Sequence, residues 1–269
     1  MQNDALYHIG FGKKDLGKNP PRIALLSGDP NRAYAIAHYA GVTFEKNLSE
    51  NRGLNSYLAR LPNGRRFISA TSGMGAPSLS IVVNELYQVG VRAILRVGTS
   101  GSIQSAVKMG SVVISHAALC RQGAADDIAP REYPAAANPF LTMALVNAAR
   151  ELNVDWHIGV TASVDTFFEG QERSESSANK NLLRQLRGMT KEYRALGILN
   201  FEMEAGTLFK MGSVYGFAAA CICAIIAART QREEPDLKAK TRAVQDAIRV
   251  ALRAAEMFDD EYMQARYWR

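Results

Sequence analysis

The chain has 269 residues, 47% of them apolar and 22% charged, and a net charge of +6 at neutral pH. At roughly 150 residues per domain this length allows one or two domains, and the composition is that of a folded globular chain, which excludes disorder, collagen-like repeats and a coiled coil. The positive balance suits an anionic ligand or a nucleic acid alike, but no block of consecutive basic residues forms a nucleic-acid arm.

The first residues, MQNDALYHIGFGKKDLG, lack the basic stretch and apolar core of a secretory signal. The longest apolar run, 217–228 (FAAACICAIIAA), is shorter than the ~17–25 residues of a membrane-spanning helix and reads as a buried strand. Alternation along it sets Cys221 and Cys223 on one face, too close for an unstrained bridge. With Cys120 they make an odd set, so all three read as small core residues. A cytoplasmic location, with no membrane partner, is the expectation.

In chain order, residues 22–27 (RIALLS) form a short buried strand that runs into Gly28-Asp29-Pro30. There Asp29 caps a helix whose first position is Pro30. Residues 54–61 and 65–71 flank Pro62-Asn63-Gly64, a strong hairpin signal. Leu79, Val82, Val83 and Leu86 mark a helix over 77–90, and 93–97 is a further strand ending in Gly98-Thr99-Ser100-Gly101. Residues 111–117 and 158–163 read as strands around a helix at 139–152. Residues 202–211 read as helical, and Val244, Ile248, Leu252 and Ala255 give one face of a closing helix from Pro235 onward. Its basic residues, including Lys240, Arg242, Arg249 and Arg253, read as a solvated face. No linker or repeat divides the chain, so a single domain over 1–269 is expected. Strands alternating with helices, and an early hairpin, predict a three-layer α/β/α sandwich on a mixed sheet.

Four turns carry groups that could hold a ligand at the carboxyl ends of strands. Gly28 with Arg32 one turn into a helix reads either as an anion site or as an ordinary junction with a surface arginine. Arg96 lies inside an apolar strand, where an unpaired guanidinium is costly, and Thr99 follows among glycines that expose backbone N–H groups, so this turn leans toward an oxyanion. Phe167, Gln171 and Arg173 offer a ring, an amide and a fork that can read a flat heterocycle; taken alone they read as core and surface. Met203 and Glu204, with Glu202, fit either dipole-satisfied acids at a helix start or a carboxylate accepting two vicinal sugar hydroxyls. His8 stands out in a polar segment where core packing is not expected. No Walker loop, dinucleotide fingerprint, serine-hydrolase elbow or cysteine-rich metal pattern occurs, and no metal ligands are assigned.

In this order, His8-Ile9-Gly10, Gly28-Asp29-Pro30 with Arg32, Leu95-Arg96-Val97-Gly98-Thr99-Ser100-Gly101, Thr161-Ala162-Ser163 with Asp165-Thr166-Phe167, Gly170-Gln171-Glu172-Arg173, Glu202-Met203-Glu204 and Ala228-Arg229-Thr230-Gln231 resemble one family. From about residue 7 to 256 the chain is similar to the nucleoside phosphorylase-I family, in its uridine-cleaving branch. The resemblance implies a partly barrel-like central sheet and the reversible phosphorolysis of uridine to uracil and ribose 1-phosphate. It implies that Gly28, Arg32, Arg96 and Thr99 hold phosphate, joined by Arg52 from a neighbouring subunit. His8 of that neighbour, with Met203 and Glu204, would hold ribose, while Phe167, Gln171, Arg173 and Arg229 would bind the base.

A dimer, commonly three of them in a hexamer, is therefore the implied assembly, with nucleoside and phosphate as its small-molecule partners and no cofactor. Purine-specific relatives place an acid near the end of the last strand, where this chain has Ala227-Ala228-Arg229. Relatives that bind potassium follow the second-subunit arginine with Glu. Here Arg52-Gly53 stands instead, so that site is not carried over. Ser100, Ala228 and Phe168-Glu169 also depart from the usual Thr, Asn and Tyr-Pro. A purine phosphorylase, a nucleosidase of the same family and a non-catalytic nucleoside-binding subunit are the alternatives.

Overall fold

The structure, a computed structural model, describes residues 4–229 and 237–263. Five consecutive buried residues make β1 (Ile23–Ser27), which leads through Asp29 into α1 (Pro30–Ala37). The Asp29 carboxylate accepts the Asn31 N–H at 2.9 Å, so the expected cap is present. Next come β2 (Thr43–Ser49), β3 (Ser56–Arg60) and β4 (Arg66–Thr71). β3 and β4 pair antiparallel around the predicted turn, with Gly64 at φ 86°. β2 had no sequence signal because it is an edge strand with mostly exposed or half-exposed residues and no apolar alternation.

After α2 (Ala76–Gln88), β5 (Ala93–Ser102) and β6 (Val112–Arg121) both run several residues past their expected ends. α3 (Gly123–Asp126), α4 (Pro139–Glu151), β7 (Trp156–Val164) and α5 (Met189–Ala195) follow. Then β8 (Asn200–Glu202) leads into α6 (Ala205–Tyr215), β9 (Ala218–Ala228) and α7 (Leu237–Met257). The expected helix over 202–211 therefore starts three residues late, because Glu202 ends a strand. Pro235, Thr230 and Gln231 lie outside the described residues.

The nine strands run in the order β2-β3-β4-β1-β5-β8-β7-β6-β9, and β9 returns to pair with β5. Strands β5, β8, β7, β6 and β9 thus close a five-stranded mixed barrel, and β1, β4, β3 and β2 extend one side of it. β9 matches β5 in parallel from Ala93↔Ala218 to Ser102↔Ala228, which is why the glycine-rich stretch 98–101 stays extended. Helices α1, α4 and α7 cover one face, packing on Leu25, Leu95 and Ile222. α2 and α6 cover the other, on Leu26, Ile94, Cys221 and Cys223. The expected layered α/β/α arrangement around a mixed, partly barrel-like sheet is what forms. The three cysteines are free, and Cys221 and Cys223 lie side by side in the core with sulfurs 3.7 Å apart.

Candidate active site

Closure of the barrel brings the ends of β1, β5, β8 and β9 and the loop after β7 to one cavity of about 530 Å³. Gly28, Arg32, Arg96, Thr99, Phe167, Gln171, Arg173, Met203 and Glu204 all line it. They come from segments far apart in sequence.

Arg96 is buried in β5. β8 runs antiparallel to β5, with Ser102↔Asn200 and Gly101↔Phe201, and so carries Glu202 back toward Arg96. The Arg96 Nε donates to Glu202 Oε2 at 3.2 Å, and Nη2 pairs with Glu204 Oε2. Burial opposes the charge of Arg96, but Glu204 and Glu202 more than offset it and raise its pKa. The guanidinium lies so tightly between β5 and β9 that a Cβ at Gly98 would come within 2.9 Å of both Arg96 Nη2 and the Cys223 sulfur.

Glu202 is the centre of this cluster. Its Oε2 also accepts the backbone N–H groups of Glu204 and Ala205, each at 2.8 Å, and so caps α6. Its Oε1 accepts the Ser163 hydroxyl, which itself accepts the Gly206 N–H at 2.8 Å. Buried Gln122 holds the same turn from the other side. Its amide donates to the Met203 carbonyl and accepts from the Thr207 N–H and hydroxyl at 3.0 and 2.9 Å. Gln122 had no functional signal in the sequence, and Ser163 entered only within the stretch Thr161-Ala162-Ser163, without a role of its own. Gln122 and Ser163 are single polar residues in or beside apolar strands, and the groups of this turn that they hold are at least 39 positions away. Glu204 accepts the Gly75 N–H as well as Arg96. Burial, reinforced by Glu202 and opposed by Arg96, leaves its pKa above the usual carboxylate range.

Arg32 approaches from α1 and donates to the Ser27 hydroxyl and the Val97 carbonyl, both at 3.3 Å. Burial and the nearby Arg96 charge hold its pKa below the ordinary arginine value. Two guanidinium groups brought together, with Arg32 weakened by Arg96, are poised for an anion. Gly28 packs against the Gly73 carbonyl, which a Cβ would meet at 3.0 Å.

At the other end of the cavity the wall is built differently. Gln171 is buried, and the Arg173 Nε donates to its Oε1 at 3.3 Å while its guanidinium lies 4.5 Å from the Phe167 ring centre. Arg229, just past β9, is not among the lining residues; it sits 5.2 Å from the ring centre of Phe201, which is, and donates to the Glu172 carbonyl at 3.4 Å. Glu172 takes φ 54° and anchors the loop by accepting the Gly188 and Thr190 N–H groups. Phe167 is exposed, and Met74 closes the rim at 84% exposure.

His8 and Arg52 do not line the cavity. They lie together on another part of the surface. Asn51 donates to the carbonyls of Tyr7 and His8, both at 2.9 Å, and the Arg52 guanidinium sits 5.2 Å from the Tyr7 ring centre. Arg52 and Gly53 both take positive φ, 56° and 73°, a conformation that a glutamate at 53 would adopt only with strain. Among the described residues, no three His, Cys, Asp or Glu side chains gather to hold a metal ion, and no helix is long and apolar enough to cross a membrane.

A family model described as the phosphorylase superfamily matches residues 22–258. The chain belongs to that superfamily. It is 36% identical to the uridine phosphorylases of Salmonella typhimurium and Escherichia coli, over 95% of this chain and 98% of each relative. The uridine phosphorylase of Haemophilus influenzae is 37% identical over 93% of this chain and 97% of its own length. A guanosine phosphorylase of Halorubrum lacusprofundi is 30% identical over 86% and 92%.

Proposed function

We propose that the chain is a cytoplasmic uridine phosphorylase, a single-domain pentosyltransferase that uses phosphate as co-substrate and no cofactor. The observation that carries this reading is one cavity with two arginines at its floor, a buried carboxylate beside them, and an amide–guanidinium pair at its far end. Phosphate binds between Arg32 and Arg96, with Gly28 and Thr99. Glu204 accepts the sugar hydroxyls over Met203. Gln171, Arg173 and Arg229 hold the pyrimidine edge, with Phe167 against the ring.

In the reaction the bond between the anomeric carbon and the base nitrogen breaks, and its electron pair leaves with uracil. A phosphate oxygen forms the new bond to the same carbon. Phosphate beneath the sugar stabilises the oxocarbenium-like transition state before attacking it, and the donors at the base end stabilise the departing uracil anion. The last residues of β9 and the one after it, Ala227, Ala228 and Arg229, include no acid that could protonate a purine nitrogen.

Charge also argues for more than one copy. Arg32, Arg96, Glu202 and Glu204 sum to zero, which leaves a phosphate dianion without net compensation. Arg52 and His8 of a partner subunit complete the site, and a hexamer of three such dimers is the proposed assembly. Chromatographic assay of uridine, thymidine and inosine, each with and without phosphate, tests the reading. Uracil and ribose 1-phosphate appearing only with phosphate is expected. Base release without phosphate, or turnover of inosine alone, would overturn it.

A further inference from the structure

We propose that Glu85 is a positioning residue that fixes His8 as an acceptor of a hydrogen bond from the sugar's 5′ substituent. This rests on the uridine phosphorylase reading above, in which His8 serves a partner subunit's site. Glu85 projects from α2 and is almost wholly buried. Its Oε2 accepts the backbone N–H groups of Ile9 at 2.8 Å and His8 at 3.1 Å. Its Oε1 lies 2.6 Å from His8 Nδ1. One carboxylate therefore grips both the backbone and the ring of His8.

A carboxylate that already accepts two N–H groups offers only lone pairs to the ring, so Nδ1 carries the proton. In the neutral imidazole Nε2 is then bare, and the ring presents an acceptor rather than a donor. His8 is held for this role at the surface, with its side chain 33% exposed. The Asn51 amide donates to the Tyr7 and His8 carbonyls, one on each side of the His8 Cα. An acceptor at that point favours a substrate whose 5′ group donates, whether hydroxyl or ammonium, and gives nothing to a 5′-methyl.

The ranking of three nucleosides tests this in the intact enzyme. Uridine and 5′-amino-5′-deoxyuridine, which carries an ammonium at neutral pH, are both expected to exceed 5′-deoxyuridine in kcat/KM by about tenfold, the factor one hydrogen bond supplies. An ammonium analogue poorer than 5′-deoxyuridine would mean that Nε2 carries a proton, and would overturn the proposal. In Glu85→Gln the amide oxygen can still accept from Ile9 while its N–H faces Nδ1. His8 then switches tautomer and presents Nε2–H. Uridine, whose hydroxyl can also accept, should keep its advantage, while the ammonium analogue should lose about tenfold relative to uridine. An unchanged ratio in Glu85→Gln would also overturn the proposal. The ratio is taken within each variant, so a change in stability alone does not move it. If His8→Ala leaves the ranking of all three substrates intact, or the wild type releases no uracil with phosphate, the underlying reading fails instead.

Discussion

The two ends of the cavity are built by different means. The phosphate end rests on barrel strands and the start of α6, and Arg96 and Glu202 there are almost wholly buried and bonded on several sides. The base end hangs on the loop after β7, where Phe167 and Phe168 are exposed and Arg173 reaches Gln171 by one long hydrogen bond. In the proposed reading, chemistry shared by all nucleosides sits in the scaffold, and discrimination between bases sits on a loop. A surface loop can change at its exposed positions without unfolding the protein, and Phe168-Glu169 is a departure in that loop.

The sharpest way to break this contrast is Arg96→Met, which leaves Glu202 and Glu204 buried without their cation. Stability is expected to fall by roughly 3–5 kcal/mol and turnover by at least about 100-fold, checked by urea unfolding and steady-state kinetics. Arg32→Met should separate binding from folding. Its guanidinium is disfavoured by burial and by Arg96, so removing it should leave unfolding unchanged or slightly improved. KM for phosphate should nevertheless rise by about 10- to 100-fold, the loss of charged hydrogen bonds to the anion.

At the other end, Gln171→Ala should cut kcat/KM for uridine by roughly tenfold or more with KM for phosphate unchanged. A loss in phosphate binding as large as that for uridine would show that the two ends are not separable. Phe167→Leu should cost the least, about two- to fivefold in KM for uridine, with an unfolding midpoint close to wild type because the ring is exposed.

Most of the scaffold was legible in the sequence where local chemistry decides the outcome: the Asp29–Pro30 helix start, the Asn63-Gly64 hairpin and the apolar run that became β9. Expectation failed where distant pairing decides. Residues 98–101 look like a turn by their glycines, but β9 on one edge and β8 on the other hold them extended. Glu202 looked like the first residue of a helix, and the three-residue β8 is too short to give a period. The same limit hid Gln122 and Ser163, since nothing local tells a buried polar residue that secures a loop from one that merely tolerates burial. An arginine in an apolar strand was the one visible sign that carboxylates had to be waiting for it.

Gly98 has a consequence for anyone wishing to redirect this protein to other nucleosides. Any Cβ there meets the Arg96 guanidinium and the Cys223 sulfur at once, both at 2.9 Å. Codon randomisation at 96, 98 or 223 would spend most of a library on inactive clones. Phe167 lines the same cavity and is exposed, so diversity placed there explores new bases while the catalytic floor stays intact.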